Sequence, residues 1–352
     1  MKFIKVVENM LKKISKTTIL VLTLIVLQAC SGDATDRIKI KSLDIEAPEI
    51  VKTGDALTLQ IANNLDIDSL QIEGSQPASV SDDKRNFTYS FSSAGVKKIQ
   101  LKAFADGEEW QKTISLKVIP PRAPEKLDYE IVKTLDHARD SYTQGLEFYN
   151  GKLYESKGQY GTSSIRKLDF PSMQVVKDVA LGSDFFGEGL TILNDTVYQI
   201  TWREKLCFLY DTDLRGKGTM PLPVPEGWGI SNDGSFLFIS DGSNRLYRFD
   251  KKMKYLDNRE IYAGTSPLSR LNELERVKDR FYANVYQSDQ VFRIDYETGT
   301  ADAMLDLSEL RTQLSNPQAE VLNGIAYLPE RELFLVTGKY WDKAFLIRVI
   351  GN

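Results

Sequence analysis

Leu153-Tyr154-Glu155-Ser156, Val197-Tyr198-Gln199-Ile200, Leu237-Phe238-Ile239-Ser240, Phe281-Tyr282-Ala283-Asn284 and Leu333-Phe334-Leu335-Val336 are five versions of one short strand. Aligned on their second residues, they step along the chain by 44, 40, 44 and 52 positions. After a polar turn each leads into a second alternating run. These are Ile165-Arg166-Lys167-Leu168-Asp169, Cys207-Phe208-Leu209-Tyr210-Asp211, Leu246-Tyr247-Arg248-Phe249-Asp250, Val291-Phe292-Arg293-Ile294-Asp295 and Phe345-Leu346-Ile347-Arg348-Val349. Four of the five close on aspartate, where an Asx turn is expected, because its carboxylate accepts from the backbone two residues on. Upstream of each pair a third strand recurs, marked by Gln144-Gly145-Leu146, Glu188-Gly189-Leu190, Trp228-Gly229-Ile230, Glu273-Leu274-Glu275 and Asn323-Gly324-Ile325. Four-stranded units at such a period read as propeller blades. One blade buries too little apolar surface alone, so the five are expected to close about an axis.

In such a ring the innermost strand of each blade lines the central channel. The upstream strands therefore bring Gln144, Glu188, Trp228, Asn272 or Glu273, and Asn323 toward one axial mouth. Tight packing explains the glycines. It does not explain why a different polar or aromatic residue precedes each of them.

The remainder of the chain divides around this repeat. Alternating runs at Leu57-Thr58-Leu59-Gln60-Ile61, Phe87-Thr88-Tyr89-Ser90-Phe91, Lys98-Ile99-Gln100-Leu101-Lys102 and Thr113-Ile114-Ser115-Leu116-Lys117-Val118 have the period of strands. Six or seven such strands over residues 37–119 suggest an immunoglobulin-like β-sandwich. Pro120, Pro121 and Pro124 mark a stiff linker, placed at 120–127. The expected architecture is all-β: a small immunoglobulin-like sandwich followed by a five-bladed β-propeller over 128–352. The first 29 residues read as a signal peptide, with lysines at 2, 5, 12, 13 and 16 ahead of an apolar run from Ile19 to Val26. That run falls well short of the roughly 20 residues that cross a bilayer. Leu27-Gln28-Ala29-Cys30 resembles a bacterial lipobox, which implies lipidation at Cys30, a tether at 30–36, and an exported lipoprotein held on a membrane face.

Composition excludes several chemistries. Removing residues 1–29, with five lysines and one glutamate, takes the net charge from −4 to −8. An acidic surface of this kind argues against nucleic acid as a partner. The single histidine, His137, sits in the polar stretch Asp136-His137-Ala138-Arg139-Asp140 and is expected at the surface. One histidine and one remaining cysteine cannot furnish a His/Cys zinc site, so no metal or other cofactor is expected. Cys207, in an alternating run, reads as a buried structural thiol.

The ordered motifs resemble those of the plant-type and bacterial glutaminyl-peptide cyclotransferases. They are Tyr142-Thr143-Gln144-Gly145-Leu146, Phe186-Gly187-Glu188-Gly189-Leu190-Thr191, Thr201-Trp202, Gly227-Trp228-Gly229, Leu271-Asn272-Glu273-Leu274-Glu275, Leu322-Asn323-Gly324-Ile325 and Val336-Thr337-Gly338-Lys339. The likeness covers roughly residues 128–350. It implies a zinc-independent enzyme that closes the N-terminal glutaminyl residue of a peptide or protein substrate to pyroglutamate and releases ammonia. It also implies that Glu188 is the acid/base carboxylate, with Lys339 and Asn272 polarising the carboxamide. Gln144 would bind substrate polar groups, Trp202 and Trp228 would wall the site, and Phe186, Tyr286, Asn323 and Arg166 are further binding candidates. Tyr286 departs from the family, which usually carries tryptophan there. Two other readings stay open: a non-catalytic propeller that binds peptides or proteins, and a metal-dependent lactonase-like hydrolase.

Overall fold

The computed structural model describes residues 40–351. The signal peptide, the tether and Cys30 lie outside the described residues. The N-terminal part is a sandwich of two sheets, five-stranded and three-stranded. The larger sheet includes Ile67–Gly74, Gly95–Ala105 and Glu108–Ile119; the smaller holds Ala56–Gln60, Ser79–Val80 and Asn86–Ser90. Alternation does the work. Ile99, Leu101 and Ala103 from one sheet meet Leu59, Phe87 and Tyr89 from the other in a single core, all fully buried. Among the described residues eight strands are present rather than six or seven, the extra ones being pieces too short to leave a periodic trace.

Five four-stranded units follow. Blade 1 runs Thr143–Tyr149, Lys152–Lys157, Ser164–Asp169 and Gln174–Ala180; blade 2 runs Gly187–Leu193, Thr196–Thr201, Leu206–Asp211 and Gly216–Pro221. Blade 3 runs Ile230–Asn232, Leu237–Ser240, Arg245–Phe249 and Tyr255–Glu260; blade 4 runs Leu271–Val277, Arg280–Val285, Gln290–Asp295 and Thr300–Asp306. Blade 5 has three strands of its own, Leu322–Leu328, Leu333–Gly338 and Lys343–Ile350. Its outermost strand is Glu125–Asp136, from the other end of the repeat, paired antiparallel from Lys343↔Asp136 to Ile350↔Asp128. The same strand pairs in parallel with blade 4 through Ala303↔Glu125, Met304↔Lys126 and Leu305↔Leu127. The linker therefore ends at 124 and not at 127. Past Pro124 every residue again has an N–H to give to a ladder.

The Asx turns form at three of the four aspartates. Asp211, Asp250 and Asp295 each accept from the backbone N–H two residues on, at 2.8–3.0 Å. Asp169 cannot, because the residue two on is Pro171, which has no N–H. It pairs with Lys152 instead. Sandwich and propeller touch directly. The Glu260 carboxylate accepts from Val96 N–H at 2.9 Å and from Arg245 at 2.9 Å, beside a small buried cluster of Ala94, Ile119 and Tyr262.

Candidate active site

The inner strands pack so closely around the axis that side chains are excluded at one position. A Cβ on Gly229 would lie 2.0 Å from the Asn272 carbonyl oxygen, and one on Gly189 would lie 2.7 Å from the Ile230 nitrogen. Blade 4 breaks the pattern with Glu273 in the glycine position. Its two carboxylate oxygens accept from Leu146 N–H at 3.3 Å and Ile325 N–H at 2.9 Å, tying blade 4 to blades 1 and 5. Burial raises the Glu273 carboxyl well above the usual carboxylate range. This resolves the choice left by the sequence: Asn272 takes the mouth position and Glu273 the channel.

The residues preceding these positions are aimed by backbone irregularity. Register slips between Thr143 and Gly145, Gly187 and Leu190, Leu271 and Leu274, and Leu322 and Ile325. Each slip falls at Gln144, Glu188, Asn272 or Asn323. A bulge of this kind turns a side chain out of the ladder. Gln144, Glu188, Asn272 and Trp228 then share a cavity of about 190 Å³ with Phe186, Trp202, Tyr286 and Lys339. A larger cavity of about 430 Å³ lies between blades 4 and 5, but its arginines are committed to Asp279, Asp302 and Glu130. The smaller cavity holds the uncommitted groups, and those are what chemistry needs.

Glu188 and Lys339 are 6% and 3% exposed, and no hydrogen bond or ion pair within 4 Å ties either head group to another described residue. Burial pushes the Glu188 carboxyl well up, opposed by Lys339 and aided by Glu204 and Glu226. Burial likewise lowers the Lys339 ammonium, while the negative charges of Glu188 and Glu320 work against that shift. The ammonium lies 4.6 Å from the centre of the Tyr142 ring and 5.1 Å from that of Tyr286, a contact each π-face favours. Asn272 Oδ1 is buried with no partner among the described residues. Asn323 Nδ2 donates to the Thr143 carbonyl and to Gln144 Oε1, both at 3.0 Å. Because a carbonyl only accepts, that bond fixes which end of Asn323 is nitrogen, so Gln144 keeps Nε2 for the cavity.

Two of the expected binding residues lie elsewhere. Asn323 stands behind Gln144 and orients it. Arg166, on the third strand of blade 1 from the axis, pairs with Asp178 at 2.8 Å and Asp140 at 3.4 Å and does not reach the cavity. Tyr142 and Gln159 also line the cavity, although neither was among the expected site residues. Tyr142 stands two residues before Gln144 in a quoted motif, a usable signal; Gln159 depends on a left-handed backbone at φ 87° that nothing local announces.

His137 is buried, contrary to the expectation of a surface residue. Its Nδ1 faces the Trp341 carbonyl at 2.8 Å and its Nε2 faces Glu155 Oε1 at 3.1 Å. Both partners are acceptors, so both nitrogens carry protons and the ring is an imidazolium. Burial works against that charge, but the Glu155 carboxylate and the Trp341 carbonyl raise its pKa overall. Burial penalises the Glu155 charge too; His137, Ser141 and Thr143 outweigh it and bring that carboxyl to about 2. The pair anchors the turn that carries Lys339, where Tyr340 N–H also donates to the Ser141 carbonyl at 2.7 Å. Cys207 is fully buried, as expected, and its thiol is pushed up by burial.

Known proteins share this fold and sequence. A glutaminyl-peptide cyclotransferase of Arabidopsis thaliana is 36% identical over 228 residues, spanning 63% of this chain and 71% of that protein. The crystal structure of Myxococcus xanthus glutaminyl cyclase superposes with a TM-score of 0.59 at 32% identity, covering 64% of this chain and 98% of that one. The glutamine cyclotransferase family model matches residues 98–349, which includes every blade, and the chain belongs to that family.

Proposed function

We propose that this protein cyclises the N-terminal glutaminyl residue of peptides to pyroglutamate with release of ammonia. One observation carries the reading. A buried carboxyl and a buried ammonium, neither bonded to another described side chain, face one small cavity with the amides of Asn272 and Gln144. Such groups are costly to hold unless a ligand completes them.

The substrate α-amine attacks the side-chain carboxamide carbon, forming the ring C–N bond and a tetrahedral oxyanion. Glu188, ionised, takes the proton that the attacking nitrogen sheds. It returns that proton to the NH₂ group as the C–N bond breaks and ammonia leaves. Burial raises its pKa above that of a free carboxylate, which makes it a better proton acceptor for the first half of this exchange. Lys339 and Asn272 donate to the developing oxyanion, an arrangement worth most where water is excluded. Gln144 Nε2 orients the substrate, and Phe186, Trp202, Trp228 and Tyr286 wall the cavity. Attack within one molecule removes much of the entropic barrier once the conformer is held.

The proton path needs only this chain's own residues, so we expect ammonia release from Gln-dipeptides to survive a chelator. A coupled ammonia assay with and without EDTA tests this: no release from any Gln-peptide overturns the reading, and loss on chelation overturns metal independence. The lipobox sequence supports export and tethering through Cys30. Labelling with a radioactive fatty acid, present in the wild type and absent from Cys30→Ala, would establish it.

A further inference from the structure

Glu226 belongs to no strand of the ring and does not line the cavity. It lies in the turn Pro225-Glu226-Gly227, between the outer strand of blade 2 and Trp228. Its Oε2 accepts from Trp202 Nε1 at 2.7 Å and from Trp228 Nε1 at 3.0 Å. Its Oε1 accepts from Arg203 Nε at 3.0 Å, and that guanidinium lies 3.8 Å from the centre of the Trp202 ring. Trp202 follows the second strand of blade 2, whereas Trp228 precedes the inner strand of blade 3. One carboxylate oxygen therefore joins two walls that come from different blades. The turn is itself fixed, since Gly227 N–H donates to the Trp202 carbonyl at 2.8 Å.

We propose that Glu226 is a positioning residue of the active site, fixing the two indole walls against each other and holding a negative charge behind the cavity that Glu188 lines. This rests on the cyclase reading. A carboxylate is suited to the first task because it has lone pairs enough for both indoles and the guanidinium, and a charged acceptor makes the stronger bond. Its charge also bears on proton transfer. The charges that act on Glu188 are Lys339 from the blade 5 turn and Glu204 and Glu226 from the blade 2 side, and Glu188 in turn bears on the phenols of Tyr142 and Tyr160. Glu204 is held by Tyr160 at 2.8 Å, and Glu226 is faced by Arg203. Of these, Glu204 and Glu226 push Glu188 upward and Lys339 pulls it down, with burial above all three.

Glu226→Gln and Glu226→Ala in the full chain separate the two roles. Gln keeps an oxygen acceptor without the charge, and Ala removes both. Steady-state ammonia release from a Gln-dipeptide is expected to show KM raised about tenfold in the Ala variant, the scale of a lost hydrogen bond to a charged group. The Gln variant should stay within about threefold of wild type. The enzyme ionisation on the acidic limb of kcat/KM should move to lower pH in both, while the substrate amine's own ionisation is common to all three proteins. Tryptophan fluorescence should shift red in Ala but not in Gln, a reading independent of activity. An Ala variant with wild-type KM and fluorescence overturns the anchoring role. A Gln variant with an unmoved acidic limb overturns the electrostatic one. If Ala lowers the melting temperature, the Gln limb decides. A wild type that releases no ammonia refutes the cyclase reading instead, and the fluorescence comparison still tests the anchor.

Discussion

Lys339 shows how a residue's surroundings set its task. Wedged between Tyr142 and Tyr286 and denied a carboxylate partner within 4 Å, its ammonium has donors to spare for a substrate oxyanion. Lys339→Met should lower kcat by about two to three orders of magnitude, the scale seen when an oxyanion donor is removed. Its KM should change far less, and steady-state kinetics read both. His137 makes a different prediction. Its pKa is raised from 6.5, so its stabilising contribution is fully present below about 6.5 and is lost as pH rises through the higher folded value. Glu155, lowered from 4.5 to about 2, contributes above about 4.5 and loses this only as pH falls toward 2. His137→Gln should therefore cost most stability between about pH 4.5 and 6.5. Urea unfolding at pH 5.5 and pH 9 should show the gap to wild type narrowing at the higher pH. The local sequence hid this role. Asp136-His137-Ala138-Arg139-Asp140 is polar but for Ala138, and the partners that bury the ring are Glu155 and, at the far end of the chain, Trp341.

At the scale of the strand, most of the architecture was legible because period-two alternation and its spacing survive in every blade. The bulges at Gln144, Glu188, Asn272 and Asn323 were not, since a one-residue slip leaves no compositional mark. Their result was partly visible, as a changing residue ahead of a glycine in every blade but the fourth. The assignment of Arg166 failed because a motif position says nothing about how many strands separate a side chain from the axis. Cross-strand pairing with Glu155 holds Arg166 in the body of blade 1. The glycine position itself can be tested. Gly229→Ala places a methyl group against the Asn272 backbone, which cannot swing aside as a side chain would. Overpacking of this kind costs about 1–3 kcal/mol or more. Denaturant unfolding should show that loss, with a fall in activity because the displaced backbone carries Asn272.

For the whole molecule, the strand least visible in the sequence closes the ring. Glu125–Asp136 precedes the first repeat and looks like an approach to it, yet it completes the last blade. Pairing between chain segments more than 200 residues apart leaves no local signal. A chain beginning at residue 120 keeps this strand and is expected to melt cooperatively. One beginning at 137 exposes Lys343–Ile350 as a bare edge, which invites association; light scattering and circular dichroism would distinguish the two. The site that this closed ring assembles is the one proposed to carry a metal-free cyclisation centred on Glu188. The most direct test is mass spectrometry of a Gln-peptide incubated in EDTA with the wild type or with Glu188→Gln. The wild type should convert the peptide to its pyroglutamyl form with ammonia release. The variant, folded to the same melting temperature, should be slower by about two to four orders of magnitude. Equal conversion by the two proteins would overturn the role of Glu188.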